Sequence, residues 1–268
     1  AAPGADLGHS AIMSLSYVYA LERAAELFTW FAGLDQSEEL AKKAQGFYLE
    51  AQRTREAVYN LCYDYSRGLL ADIPLDDPNR DMYTHGIYSQ HTNILGILTN
   101  AFPEDDVPGV MERILADTSL IPTTIYYRFY LFQALQKTGM ADRYTDMLGS
   151  WERMLANGLT TFQESDVLER SDCHAWSSSP LYHFLSLVAG ITPAEPGFQS
   201  VNIEPALGSL EQINATMTHP AGLISVQLER RGKEGVKGII TLPEGLNGNF
   251  TWGDQAMRLT PGSNEIKL

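Results

Sequence analysis

The stretch Thr160–Pro180 holds most of the residue types in this chain that could act chemically on a polar ligand. Glu164 closely follows the aromatic Phe162 after a helical pattern, and His174 and Trp176 come ten and twelve residues later, just before the next helical pattern. A carboxylate can activate water, an imidazole can donate or accept a hydrogen bond, and an indole can pack against the apolar face of a sugar. Because loops on a rigid scaffold often carry functional groups, this stretch is predicted to form one wall of a polar pocket.

Each of these residues also has a structural interpretation. Glu164 could form an ion pair in a loop, and Trp176 could be a core residue. The neighbours Cys173 and His174 could suggest a thiol nucleophile with an imidazole base. However, adjacent residues of an extended loop point in opposite directions, which disfavours that pair. A glycosidase needs a second carboxyl group across the cleft, and nearness in sequence does not supply one. The nearby carboxylates are Asp166, Glu169 and Asp172.

Two further candidates lie at predicted helix starts. His91 follows Ser89 and Gln90 at the start of the third predicted helix. A position facing a ligand and a role in capping the helix fit the sequence equally well. Tyr127 lies in the first turn of an aromatic-rich helix predicted over residues 124–137. It is a candidate substrate-binding residue, although an aromatic stripe is more often part of a core.

Composition narrows the classes of partner. The chain has 268 residues with 44% hydrophobic content, enough for one large domain or two unequal ones. A formal net charge of −14 argues against nucleic acid and against an anionic membrane surface. Two cysteines build neither a disulfide framework nor a zinc site. A metal site is not predicted, because no second cluster of candidate ligands has suitable spacing, and no cofactor is predicted. Cys62 lies in an apolar helical pattern and is predicted to be a core residue.

Apolar periodicity predicts the elements that position these residues. Seven helices are predicted before Gly190, and the first two form an antiparallel pair in which Ser37 caps the second helix. After a Pro- and Gly-rich linker, short alternating runs predict a small antiparallel β-sandwich. The predicted domains are a helical domain over 1–192 and a β-sandwich over 193–268. Periodicity leaves open whether the helix pairs form a solenoid, a bundle or a toroid.

The sequence resembles the bacterial α-L-rhamnosidases, a family of glycoside hydrolases. The similar segments are Thr160–Glu164, Ser171–Ser177, Pro180–Tyr182, Gly190–Phe198, Ile203–Gly208 and Ser89–His91. The resemblance implies a mainly α fold, part of an (α/α)6 toroid of antiparallel helix pairs, followed by a β-sandwich. It also implies inverting hydrolysis of terminal L-rhamnosides. Glu164 then corresponds to the general base, and His174 and Trp176 to groups beside the sugar.

The family's general acid has no counterpart in this sequence, because its Asp-x-Pro-x-Arg-x-Glu-type segment is absent. The predicted helices are also too few for a complete ring. The chain is therefore expected to be the C-terminal part of a longer rhamnosidase, to bind a rhamnose-containing glycan or glycoside, and to be inactive alone. For the longer protein a periplasmic or extracellular location is favoured.

Two alternatives stay open. The first is a non-catalytic carbohydrate-binding or assembly module, which would self-associate through the helix faces that an incomplete toroid exposes. The second is a toroid hydrolase or lyase of different sugar specificity.

Overall fold

The chain divides into two compact units. The computed structural model describes residues 3–167, 170–232 and 235–268. Unit 1 extends to Gly139 and unit 2 begins at Met140. The described residues form a helical part followed by a β region, as predicted. The toroid and the domain boundary after residue 192 stay predictions. None of the described helices combines the length and apolar character of a membrane-spanning segment.

Unit 1 begins with the predicted antiparallel helix pair. The helices are α1 (Ala11–Asp35) and α2 (Glu38–Cys62). The hydroxyl of Ser37 accepts a hydrogen bond from the Leu40 N–H, so the predicted cap is confirmed. Val18 and Leu21 of α1 pack on Ala51 of α2 and close the seam between the helices. Cys62 is buried as predicted, and burial raises the pKa of its thiol to about 12.

A short hairpin follows α2. Its strands are β1 (Tyr63–Asp64) and β2 (Leu69–Leu70). The next helix, α3 (Gln90–Leu98), docks on it through Asn93. The Asn93 side chain accepts a hydrogen bond from the Leu70 N–H and donates one to the Leu70 carbonyl. A side chain therefore continues the backbone pairing of β2, an arrangement that periodicity does not reveal.

The remaining α-helices of unit 1 are α4 (Val107–Ala116) and α5 (Arg128–Lys137). The prediction that the fifth helix begins near Thr124 is wrong at its start, because residues 125–127 form a turn and α5 begins at Arg128. Tyr127 therefore lies in the turn just before the helix. Phe132 and Leu135 on α5 are fully buried, which fits the core interpretation of the aromatic-rich segment.

Unit 2 opens with short helices. The sixth predicted helix consists of two 3-10 turns over residues 141–147 and a shorter helix, α6 (Gly149–Ala156). Trp151 of α6 is buried, whereas Leu155 is exposed. The seventh helix, α7 (Ser179–His183), continues as a π-helical turn over Phe184–Val188.

The β region contains two four-stranded sheets that contribute to one hydrophobic core. The strand orders are β10-β7-β6-β5 and β3-β4-β8-β9. Their buried faces alternate as predicted, with Ile224, Val226 and Leu228 of β6 inside. The prediction of purely antiparallel pairing is wrong for one pair, because β4 and β8 run parallel. The strands are β3 (Ile191–Pro193), β4 (Ser200–Ile203), β5 (Gln212–His219), β6 (Gly222–Arg231), β7 (Gly235–Leu242), β8 (Asn247–Trp252), β9 (Gln255–Leu259) and β10 (Gly262–Lys267).

Candidate functional site

The stretch between α6 and α7 is a loop whose two arms are joined by backbone hydrogen bonds. The Glu164 N–H donates to the Ser171 carbonyl at 2.8 Å, and the His174 N–H donates to the Phe162 carbonyl at 2.7 Å. These two bonds hold the arms side by side, as in a short ladder. Glu164 and His174 are therefore neighbours in space.

Side chains of the second arm also bind the backbone of the first. The indole N–H of Trp176 donates to the Glu164 carbonyl at 3.0 Å. The hydroxyl of Ser177, which is fully buried, donates to the Gln163 carbonyl. These bonds satisfy backbone acceptors of the loop, and they fix the indole of Trp176 beside the backbone of Glu164.

Helix α6 holds both arms of the loop. The hydroxyl of Ser150 donates to Asp166 in the first arm at 2.6 Å. The indole N–H of Trp151 donates to the Ser177 carbonyl in the second arm at 2.7 Å. Arg153 Nη2 lies 3.9 Å from Asp166 Oδ2. Asp166 is therefore engaged in holding the loop, which weakens its candidacy as a second catalytic carboxylate.

The carboxylate of Glu164 is mostly buried, with its side chain 10% exposed. Oε1 forms an ion pair with Arg170 Nη1 at 3.1 Å. Oε2 lies 3.9 Å from Nε2 of His174, which is beyond hydrogen-bonding distance. In the part of the chain that the structure describes, Oε2 receives no hydrogen bond. This oxygen can therefore accept one from a water molecule or a ligand hydroxyl.

His174 and Trp176 form an aromatic pair beside this carboxylate. Their ring centroids are 4.7 Å apart and the ring planes are tilted by 42°. Trp176 is 45% exposed, so part of its ring can meet a ligand. Nδ1 of His174 is buried and has no hydrogen-bond partner among the described residues. The structure thus brings together Glu164, His174 and Trp176 in one place.

The other candidates of this loop are less engaged with Glu164. The Cys173 thiol is free and exposed, and no described contact joins it to the His174 ring. Asp172 accepts a hydrogen bond from the Gln163 amide at 3.2 Å. Glu169 lies outside the described residues. Across the described ranges, no group of three or more His, Cys, Asp or Glu side chains is arranged to hold a metal ion.

Tyr127 and His91 belong to unit 1, where they pack against each other. Their ring centroids are 4.4 Å apart with the planes inclined by 57°. Burial lowers the pKa of His91 to about 4 and raises that of Tyr127. The Tyr127 hydroxyl is buried without a hydrogen-bond partner in the described part of the chain.

Sequence reasoning missed Asp72, which lies near this pair in unit 1. Its side chain is fully buried, and Oδ1 accepts hydrogen bonds from the hydroxyls of Ser89 and Thr92. Burial raises the pKa of Asp72 to about 6, and those two hydrogen bonds oppose the rise. The sequence did contain a signal for Asp72, which is the single carboxylate in the otherwise apolar run Leu69–Ile73. A carboxylate in an apolar run is a candidate for burial, and a buried carboxylate needs hydrogen-bond partners.

Comparison with known proteins identifies what this architecture is similar to. Residues 190–265 match the family model described as the bacterial alpha-L-rhamnosidase C-terminal domain. The chain resembles the bacterial α-L-rhamnosidases. The predicted resemblance to this family is therefore confirmed, and the family model matches it over residues 190–265. No curated protein matches the sequence.

Solved rhamnosidase structures share the fold. A GH78 family rhamnosidase of a Bacillus species has 22% sequence identity and a TM-score of 0.75, covering 91% of this chain and 26% of that one. The α-L-rhamnosidase of Aspergillus terreus has 18% identity and a TM-score of 0.72, covering 94% and 30%. A rhamnosidase from Klebsiella oxytoca with rhamnose bound has 20% identity and a TM-score of 0.52, covering 65% and 33%. The chain thus spans between 26% and 33% of these rhamnosidases.

Proposed function

We propose that this chain is part of an α-L-rhamnosidase that hydrolyses terminal L-rhamnosides with inversion at the anomeric carbon. The observation that carries the proposal is the position of the Glu164 carboxylate. It lies on a loop joined to α6, and its Oε2 faces His174 without a hydrogen bond. An inverting glycosidase needs a carboxylate held in this manner to deprotonate the attacking water.

The three loop residues have different roles in this proposal. Glu164 accepts the proton of the attacking water through Oε2, while Arg170 holds Oε1. His174 forms a hydrogen bond to a sugar hydroxyl near the attacking water. Trp176 packs its exposed ring against the apolar face of the sugar. Tyr127 packs on His91 within unit 1 and is proposed separately as a residue that contacts a rhamnose-containing ligand.

Protonation of the leaving group requires a second carboxyl group, the general acid. Asp166 is bound by Ser150 and lies near Arg153, so it is unsuited to give a proton to an aglycone. We place the general acid in a segment of a longer protein, outside the 268 residues. The isolated chain would then lack one of the two groups that an inverting reaction needs.

A second candidate function is a carbohydrate-binding or assembly module without catalysis. The observation that favours it is a set of exposed apolar side chains at the end of α1, which a partner or a second copy could cover. They are Trp30, Phe31 and Leu34. Sedimentation of the chain with and without L-rhamnose separates the two candidates. Concentration-dependent assembly without any turnover by the longer protein would favour the module.

The substrate and the stereochemistry can be tested together. The longer protein is offered a panel of aryl glycosides that includes the α-L-rhamnoside, an α-L-fucoside and a β-D-glucuronide, and the first-formed sugar is observed by proton NMR. The expected result is preferred hydrolysis of the α-L-rhamnoside with β-L-rhamnose as the first product. The α anomer as first product would contradict inversion, and preference for another glycoside would contradict the substrate.

A further inference from the structure

The two oxygens of the Glu164 carboxylate have different surroundings. Oε1 lies 3.1 Å from Arg170 Nη1, and Oε2 lies 3.9 Å from His174 Nε2. The terminal torsion of a glutamate side chain is broad, so by itself it does not fix the plane of the carboxylate. An ion pair on Oε1 restricts that torsion. The contact with Arg170 therefore keeps the second oxygen on the side of His174.

Arg170 is the permanently charged partner of this carboxylate in the part of the chain that the structure describes. The other group within ion-pair distance is His174, which is a cation only when it is protonated. A guanidinium stays charged at physiological pH, and its planar N–H groups donate in a fixed geometry that suits a carboxylate. The orientation of Glu164 therefore depends more on Arg170 than on His174.

A second arginine beside the loop is directed to a different carboxylate. Arg153 Nη2 donates to the Ser150 hydroxyl at 3.0 Å and lies 3.9 Å from Asp166 Oδ2. The side chains of the two arginines are similarly exposed, 62% for Arg170 and 64% for Arg153. The two residues thus have the same charge and similar exposure, but only Arg170 pairs with Glu164. Arg153 is a matched control for Arg170.

Burial makes this ion pair important for Glu164. The Glu164 side chain is only 10% exposed, and a mostly buried carboxylate needs a compensating partner. An ion pair between two exposed groups contributes little to stability, but here one group is buried and its orientation decides which oxygen is free. Without Arg170 the carboxylate could rotate. A displacement of about 1 Å at a reacting group can lower a rate roughly a hundredfold.

We propose that Arg170 is a positioning residue of the reaction, which acts through Glu164 and does not touch the sugar. By pairing with Oε1 it fixes the plane of the carboxylate and presents Oε2 to the attacking water beside His174. This inference rests on the proposed role of Glu164 as the general base. It adds that the rate of hydrolysis depends on a guanidinium at position 170, whereas the affinity for the substrate does not.

The test compares kcat and KM of the longer protein for an aryl α-L-rhamnoside in Arg170→Ala, Glu164→Gln and the double variant. Arg170→Ala should lower kcat roughly tenfold or more and change KM less than about threefold. It should cause no further loss in the Glu164→Gln background, because Arg170 acts only through that carboxylate. Arg170→Lys keeps the charge but not the planar fork and should recover part of the rate. Arg153→Ala should leave kcat within about twofold of the natural value.

Added guanidinium ion distinguishes positioning from a role in folding. Because the Arg170 side chain is largely exposed, its removal opens a space that guanidinium can enter from solvent. Guanidinium chloride at a concentration that leaves the circular dichroism spectrum unchanged should restore part of kcat to Arg170→Ala, and sodium chloride at the same ionic strength should not.

Three results would overturn the inference. They are near-normal kcat in Arg170→Ala, the same further loss in the Glu164→Gln background, and a rate that neither guanidinium nor Arg170→Lys restores. If Glu164→Gln alone loses most of its turnover, each of these results leaves the general base in place. Near-normal turnover by Glu164→Gln would instead overturn the base assignment together with this inference. The two proposals can therefore be told apart.

Discussion

Two titratable residues of unit 1, Asp72 and His91, respond to burial in opposite directions. The pKa of Asp72 is raised from 3.8 to about 6, and that of His91 is lowered from 6.5 to about 4. Between pH 4 and 6 the folded state keeps a proton on Asp72 that the unfolded state releases, so this residue makes stability fall as pH rises. Over the same range the unfolded state holds a proton on His91 that the folded state lacks, so His91 makes stability rise with pH.

We therefore predict that Asp72 and His91 contribute opposite pH dependences to the free energy of unfolding. The two contributions partly cancel in the natural chain, and substituting one residue at a time should reveal each of them. Asp72→Asn should lose more free energy of unfolding than the natural chain between pH 6.5 and pH 4, by up to about 3 kcal/mol. His91→Gln should lose less over the same range. Urea unfolding at several pH values measures both changes, and the comparison cancels the contributions of groups common to all three proteins. Three equal slopes would contradict the burial of these groups.

The residues of the candidate site differ in how far the sequence could predict them. Glu164, His174 and Trp176 lie within one loop, so their nearness follows from local sequence, and the structure places them together. Asp72 becomes notable only through its buried surroundings and its contacts with α3, which local sequence does not contain. The role of Arg170 as the partner of Glu164 was missed for a different reason. A charged loop residue has too many possible partners for its sequence to select one.

At the level of elements, Ser177 reinforces the backbone hydrogen bonds that join the two arms of the loop between α6 and α7. Ser177→Ala removes the hydroxyl that donates to the Gln163 carbonyl. The loss of one buried hydrogen bond should lower the free energy of unfolding by about 1–2 kcal/mol. It should also speed hydrogen exchange at the Glu164 and His174 amides, because their partners lie across the two arms.

The matched control for the loop is Ser178→Ala. Among the described residues the Ser178 hydroxyl donates within its own turn, to Ala175, so its removal should leave exchange at the Glu164 and His174 amides unchanged. Native-state hydrogen exchange of both variants makes the comparison. Equal protection of those amides in the two variants would show that Ser177 does not join the arms.

The junction of the π-helical turn and β3 depends on Gly190. Its φ is +70°, and a Cβ at this position would lie 2.1 Å from the Glu204 carbonyl carbon. Gly245 has a similar φ of +80° but nothing within 4 Å. Gly245→Ala should therefore lower stability by only about 1 kcal/mol, the cost of the left-handed backbone alone. Gly190→Ala should cost about 2 kcal/mol more, because the Glu204 backbone must shift. Equal melting temperatures for the two variants would contradict this packing.

Elements with strong periodicity were the predictable ones. The pair α1 and α2, the cap at Ser37 and the alternation in β6 all follow from apolar spacing and local chemistry. The hairpin β1–β2 and the parallel pairing of β4 with β8 depend on partners distant in sequence. Periodicity within one segment does not contain that information. The late start of α5 also escaped prediction, because the aromatic residues 126 and 127 continue the pattern without joining the helix.

For the whole molecule, the chain is much shorter than the solved rhamnosidases, and we predict that it is inactive by itself. The chain corresponds to between 26% and 33% of those proteins. If the general acid lies outside the 268 residues, the isolated chain should not hydrolyse an aryl α-L-rhamnoside above the background rate. A chromogenic assay at high protein concentration measures this. Clear turnover that is lost in Glu164→Gln would place the acid within the chain instead.

The arrangement of the whole protein was the least predictable feature from the sequence. The motif around Glu164 and the C-terminal segment indicated the same family, because both are local patterns. A closed ring of helix pairs is a relation among many elements, and no single motif contains it. The closed ring therefore stays a prediction that a structure of the longer protein would test.

In the proposed function, Glu164 is the general base of an α-L-rhamnosidase. The most direct test is the turnover of an aryl α-L-rhamnoside by the longer protein carrying Glu164→Gln, with Glu244→Gln in an exposed turn as the matched control. We predict that Glu164→Gln lowers kcat by roughly a thousandfold or more with an unchanged circular dichroism spectrum, and that Glu244→Gln is unaffected. Near-normal turnover by a folded Glu164→Gln protein would contradict the assignment of Glu164 as the general base.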